Sequence, residues 1–194
     1  MKLRAFALLI ALASACVGTG ALLSACVPLV LGGAVAGGAL VAADRRSAGA
    51  QLDDEAIELK IANNVRANHP SAHVNVTSYN GVVLLTGEVP DQAARDGVAN
   101  IARSTDRVRS VQNDLVVGPP SSLGDRSNDT LITSKVKARF VEANEFPANN
   151  VKVVTERGVV YLMGIVSRQE ADAAARLAAN TSGVVRVVRL FEYV

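Results

Sequence analysis

Hydrophobicity follows three patterns along this chain. Residues 5–43 carry no charge and are mostly apolar, interrupted by glycine, small and hydroxyl-bearing positions. From residue 54 onward the apolar positions become periodic. Residues 54–67 and 130–143 place them at intervals of three and four, the spacing of an amphipathic helix. In the second of these segments Ile132, Val136 and Phe140 form one stripe. The third pattern is strand-like. Val74 and Val76 alternate with polar residues, Asn80-Gly81 follows, and 82–86 returns as an apolar run. Two strands and a tight turn are expected there, because Asn and Gly both tolerate positive φ. Alanine-rich helices are expected over 91–104 and 168–181, and closing strands over 108–117 and 184–194.

The strand pattern occurs twice. Residues 74–89 and 151–166 agree at Val74/Val151, Val76/Val153, Gly81/Gly158, Val82/Val159, Val83/Val160, Leu85/Leu162, Gly87/Gly164 and Val89/Val166. The agreement extends outward: Asp54, Ile57 and Lys60 pair with Asp129, Ile132 and Lys135. Arg157-Gly158 is a poorer version of the Asn80-Gly81 turn. Each copy therefore reads helix, hairpin, helix, strand (αββαβ). A strand–helix–strand order implies a parallel pair, so the prediction is an α+β chain of two tandem domains. Each would be a three-stranded mixed sheet packed against two helices. Asp54 and Asp129 are expected near the helix starts, where a carboxylate satisfies free N–H groups. The expected divisions are 52–118 and 127–194, joined by a linker at 119–126 that holds Pro119, Pro120, Ser121 and Ser122. Domains of about 65 residues bury modest cores, so packing of one against the other would help both.

The apolar start reads as an export signal. Lys2 and Arg4 precede the apolar run, and Leu23-Ser24-Ala25-Cys26 matches a lipobox. Residues 1–25 are then a leader, and Cys26 is the acylated first residue of the mature chain. Cys16 is a weaker alternative, since Ala13 stands where an aliphatic residue should be. Residues 26–51 form a lipidated start and flexible apolar tether. Several acyl chains on one residue hold a protein at a membrane where a single chain would not. Val27 follows the cysteine; an aspartate there would favour inner-membrane retention, so the outer membrane is expected. The two cysteines, Cys16 and Cys26, both precede the domains. Neither a disulfide nor thiol chemistry is therefore expected within them.

Charge separates the two copies. Residues 53–118 hold six Lys/Arg against nine Asp/Glu, and residues 119–194 hold ten against eight. The weak basicity of the second half suits an anionic membrane surface. With 4% aromatic residues and no Trp, stacking platforms for nucleic acid are not expected. His69 and His73 have the spacing of helical metal ligands, but Pro70 lies between them. Solvated loop histidines are expected instead, with no metal and no cofactor. Asp53-Asp54-Glu55 is assigned to helix capping. No arrangement of Ser, His and Asp suggests a nucleophile, so no catalytic residues and no enzyme are expected.

One helix has a surplus of apolar positions. Away from the Ile132–Val136–Phe140 stripe, the segment 130–143 presents Leu131, Ser134, Lys135, Ala138 and Val141, with Lys137 and Arg139 on its flanks. Leu131, Ala138 and Val141 are apolar where water is expected. Such a face, rimmed by cations, suits a membrane surface, with Lys135 and Lys137 on lipid phosphates and Leu131 and Val141 in the acyl boundary. It equally suits packing against the first domain or a protein partner. The corresponding face of the first copy has Ala56, Leu59, Lys60, Asn63 and Arg66, behind an acidic start that would repel an anionic surface.

The repeated unit with its Gly-Val-Val-x-Leu-x-Gly core, at 81–87 and 158–164, resembles the BON domain. Its duplication behind a lipobox resembles the dual-BON outer-membrane lipoproteins. The most specific stretches are 46–54, 127–137, 150–164 and 182–186. This resemblance implies a lipid-anchored outer-membrane protein whose domains face the periplasm. It further implies binding of anionic, phosphatidylglycerol-like phospholipid by the first helix of the second domain, support of outer-membrane integrity, and association with the division site. The implied lipid-binding residues are Thr130, Leu131, Ile132, Ser134, Lys135, Lys137, Ala138 and Val141. Leu131 departs from the family pattern, which has tryptophan there; leucine keeps the apolar wedge but not the interfacial ring. The alternative is a protein-interaction adaptor for an envelope assembly or cell-wall partner.

Overall fold

The computed structural model describes residues 44–194; the leader, Cys26 and the tether at 27–43 lie outside the described residues. The αββαβ unit is built twice. The first copy comprises α1 (Ala48–Asn68), β1 (His73–Tyr79), β2 (Val82–Val89), α2 (Gln92–Arg103), β3 (Ser110–Asn113) and β4 (Val116–Val117). The second comprises α3 (Leu123–Ala143), β5 (Lys152–Glu156), β6 (Val159–Val166), α4 (Arg168–Ala179) and β7 (Arg186–Tyr193). In each, the hairpin is antiparallel and the closing strand runs parallel to the middle one. Both sheets are thus mixed, with the second hairpin strand at the centre.

The closing strand of the first copy departs from the expected continuous run. It breaks at Asp114–Leu115, where the Asn113 side chain accepts a hydrogen bond from the Leu115 N–H (3.2 Å) and Leu115 turns into the core. A side chain that bonds its own backbone competes with the ladder. β7 has no such interruption.

The first helix of each copy starts earlier than the sequence suggests. Ser47 caps α1 and Ser122 caps α3, the latter in a reciprocal pair with Asp125. Asp54 and Asp129 therefore do not cap helices. Both lie inside them, buried beside the hairpin turns. Asp54 accepts from the N–H groups of Asn80 (2.7 Å) and Gly81 (2.9 Å) and from the Ser78 hydroxyl (2.6 Å). Asp129 accepts from the N–H groups of Arg157 (2.7 Å) and Gly158 (2.8 Å). All four turn residues have positive φ. A turn of that kind aims two adjacent N–H groups at one point, and each carboxylate meets them with two oxygens.

Side-chain alternation on the central strands gives four layers. Val83, Leu85 and Val89 face α1 and α2 and join Ile57, Ile61, Val65 and Val98 in one apolar cluster. Val160, Leu162 and Val166 face α3 and α4 and join Ile132, Val136, Phe140 and Ala174 in another. The alternate residues face the other way. Tyr79 and Leu84 of the first sheet meet Tyr161 and Met163 of the second in a third buried cluster. The two sheets thus pack face to face, and the helices form the two outer layers. A strand buried on both sides reads as an unbroken apolar run, as 82–85 and 159–163 do. The backbone also approaches closely beside the central strands: a Cβ added at Gly87 would lie 2.1 Å from the His73 carbonyl oxygen, and one at Gly164 would lie 2.3 Å from that of Asn150. Residues 44–194 contain all three clusters.

Candidate functional site

The face of α3 that turns away from its own sheet is open. Leu131 is 59% exposed and Val141 is 67% exposed. Thr130, Ser134, Lys135, Lys137 and Ala138 are exposed with them. Ile132 is the exception among the expected site residues. It is 1% exposed and sits in the core with Val136 and Phe140. Its place follows from helical geometry: one residue is 100° of rotation, enough to carry Ile132 from the outer face of Leu131 to the sheet. The structure adds one apolar residue that the sequence reading placed in the linker. Leu123, in the first turn of α3, is 80% exposed. Leu123, Leu131 and Val141 thus extend the apolar face along the whole helix. Glu142, also exposed, is the carboxylate nearest Val141 in sequence.

The sheet-to-sheet docking explains why this face is free. The first repeat packs on the far side of the second sheet, through Tyr79 and Leu84, and does not cover α3. The same arrangement leaves α1 open on the opposite outer layer, with Leu52 at 67% and Leu59 at 65% exposure. Three carboxylates, Asp53, Glu55 and Glu58, and one cation, Lys60, stand beside them in sequence.

Polar contacts rim the docked sheets. Glu192 of β7 accepts from Asn80 (2.8 Å) and Arg109 (2.8 Å), and the Arg109 and Asn80 donors outweigh its partial burial to hold its carboxyl below the usual range. Lys152 donates to Glu58 (3.0 Å), and Asn75 donates to Glu156 (2.8 Å). Glu88 is fully buried and meets His73 at 3.1 Å and Arg157 at 3.8 Å. His73 is therefore a strand residue with a buried partner, not a solvated loop histidine. His69 packs against Gly97, where an added Cβ would lie 2.7 Å from its Nε2. Burial pushes the Tyr161 hydroxyl up, and its hydrogen bond to Asp114 pushes it further. Among the described residues no group of three His, Cys, Asp or Glu side chains is placed to hold a metal. Nor, among them, is any helix long and apolar enough to cross a membrane.

The segment before α1 is strapped across both repeats, which the sequence did not reveal. Arg45 makes a two-pronged bond to Glu170 of α4 (2.7 and 2.9 Å) and donates to the Ile165 carbonyl (3.0 Å). Its guanidinium lowers the Glu170 carboxyl. Arg46 donates to Asp44 (2.8 Å) and Asp54 (2.9 Å), and its guanidinium lies 4.1 Å above the Tyr79 ring. Burial pushes the Asp54 carboxyl up, but hydrogen bonds from Ser78, Gly81, Asn80 and Arg46 outweigh it and hold it below the usual carboxylate range.

Comparison with known proteins places this geometry among relatives. The BON domain model matches residues 53–119 and 128–194. The chain is 38% identical over 174 residues to the outer membrane lipoprotein DolP of Haemophilus influenzae, covering 88% of this chain and 90% of that one. It is 38% identical over 154 residues to a 21 kDa hemolysin of Actinobacillus pleuropneumoniae, covering 78% and 79%. It is 33% identical over 141 residues to the osmotically-inducible protein Y of Escherichia coli, covering 70% of each.

Proposed function

Because the chain belongs to the BON-domain family, as a dual-BON outer-membrane lipoprotein, we propose that it binds anionic phospholipid through the outer face of α3. In this reading residues 1–25 are removed and acylated Cys26 anchors the chain. The domains face the periplasm, and the protein supports outer-membrane integrity, including at the division site. One observation carries the lipid reading: Leu131 and Val141 stay exposed although the first repeat is docked on the second. Exposed apolar patches rimmed by polar residues mark membrane or protein contacts. Lys135 and Lys137 beside it give attraction to phosphate, at about 1 kcal/mol per cation near an anionic surface. Its work is binding rather than catalysis.

The test is flotation of the unit Leu40–Val194 with phosphatidylglycerol vesicles and with phosphatidylcholine vesicles. The unit contains all three apolar clusters, which supply its core. Wild type should float with the anionic vesicles, and Leu131→Glu should not. Equal flotation of the two would remove α3 from the account.

A second reading rests on the other outer layer. Leu52 and Leu59 form an exposed pair in acidic surroundings that repel anionic lipid. That face suits a protein partner in the envelope, and it stays available while α3 lies on the membrane.

A further inference from the structure

Both repeats have a groove between the first helix and the outer hairpin strand, and the two grooves have diverged in charge. In the first repeat it is lined by Glu55, Glu58, Leu59, Ala62, Val74 and Val76, with two carboxylates and no cation. The counterpart in the second repeat is a cavity of about 390 Å³ at the C-terminal end of α3. Arg46, Lys137 and Lys152 line it together with Phe140, Val141 and Val151, and no carboxylate does. Two of these cations are substitutions within the duplication: Lys137 stands where the first repeat has Ala62, and Lys152 where it has Asn75. The third comes from the strap.

Two of the three cations, Arg46 and Lys152, are held rather than free to swing. Arg46 is fixed by Asp44, Asp54 and the Tyr79 ring, and Lys152 by Glu58 (3.0 Å) and the Ser78 carbonyl (3.3 Å). Their carboxylate partners do not line the cavity, whose wall joins the cations to Tyr79, Asn149 and apolar side chains. Val141 belongs at once to this wall and to the exposed face of α3. Anionic lipid has this same order of parts: a charged phosphodiester followed by an apolar chain. The volume lies within the range of small-ligand sites.

We propose that this cavity binds the phosphodiester of an anionic phospholipid between Lys137, Lys152 and Arg46, with the acyl chains leaving over Val141. The proposal rests on the reading of α3 as the membrane-facing helix and adds a headgroup site to it. Lys137 and Lys152 line the cavity and can each make a charge-assisted bond to the phosphate, about twice as strong as a neutral one, whereas Lys135 lies outside it.

The test uses the unit Leu40–Val194 and short-chain phosphatidylglycerol kept monomeric in solution, so that no membrane surface exists. Saturable NMR shifts are expected at the amides of Ala148, Asn149 and Val151. Lys137→Gln and Lys152→Gln should each weaken them at least tenfold, and Lys135→Gln, outside the cavity, less than threefold. Equal effects of the three variants, or no shifts at 148–151, would overturn the proposal. If Leu131→Glu nevertheless abolishes flotation with anionic vesicles, the helix reading stands and the headgroup cavity alone falls. If wild type neither shifts nor floats, both fall. Inorganic phosphate that shifts the same amides at equal concentration would make this a free-phosphate site and overturn the lipid assignment.

Discussion

Asp54 and Asp129 occupy the same position in the two repeats, and each carboxylate takes both N–H groups of its own hairpin turn. This contact ties the first helix to the tip of the hairpin, across more than twenty residues of chain. Removing it strands two N–H groups at each turn, that of the glycine buried and the other partly so. Asp54→Ala also leaves Ser78 without its carboxylate acceptor and removes one of the two carboxylates on Arg46. It should cost about 3 kcal/mol in urea unfolding, and Asp129→Ala, with fewer donors, about 2 kcal/mol. A loss below about 0.5 kcal/mol in both would show that the turns hold themselves.

The same carboxylates set the acid limit. Asp44, Asp54, Glu170 and Glu192 all have carboxyls lowered in the folded chain. Unfolding returns them to ordinary values of 3.8 for Asp and 4.5 for Glu, so the unfolded chain binds more protons at low pH. Their stabilisation is complete above those values. It is lost as pH falls below 4.5 and then 3.8 toward the folded-state values. Thermal melts from pH 7 down to 3 should show this fall, and Asp54→Asn should show a shallower one. An identical acid slope in the variant would mean that Asp54 is not among the groups responsible.

Much of this was legible in the chain, and the remainder was hidden for definite reasons. The hairpins, the helices and the duplication follow from local periodicity and from turn residues that tolerate positive φ. The open face of α3 was legible too, because Leu131, Ala138 and Val141 break the polar side of a helical pattern. What covers a face is a long-range fact, however. The unbroken runs at 82–85 and 159–163 signal strands buried on both sides, but not that each supplies the other's cover. Ile132 was assigned to the lipid face through motif likeness, although its spacing with Val136 and Phe140 placed it in the core. The strap of Arg45 and Arg46 had no local signature, since its partners lie up to 125 residues away. His73 looked like a loop residue because Pro70 precedes it, yet β1 begins at that histidine.

The docked sheets predict cooperative unfolding. Met163 is fully buried on the face that meets the first repeat, in one cluster with Tyr79, Leu84 and Tyr161. Met163→Lys would put an unpaired charge between the sheets while leaving both helix-side cores intact. Wild type should unfold in one calorimetric transition, and the variant in two, one for each repeat. A single transition of unchanged width in the variant would mean that this contact is not what couples the repeats.

Electrostatics should tune the membrane affinity of α3 in a direction that can be set by one residue. Glu142 follows Val141 and lies about three turns beyond Leu131, which brings it back to nearly the same side of the helix. Its charge opposes an anionic surface. Replacing it by lysine removes one repulsive charge and adds one attractive charge, near Val141 where contact is expected. At about 1 kcal/mol per charge near such a surface, Glu142→Lys should tighten binding to phosphatidylglycerol vesicles by roughly thirtyfold at low salt. The gain should shrink as ionic strength rises, since exposed charges are screened over about 8 Å at physiological salt. Glu142→Gln should give a smaller gain, and binding to phosphatidylcholine should not change with either variant. Flotation across a salt series measures all three. Unchanged anionic-vesicle binding by Glu142→Lys would place the membrane contact elsewhere than the C-terminal half of α3.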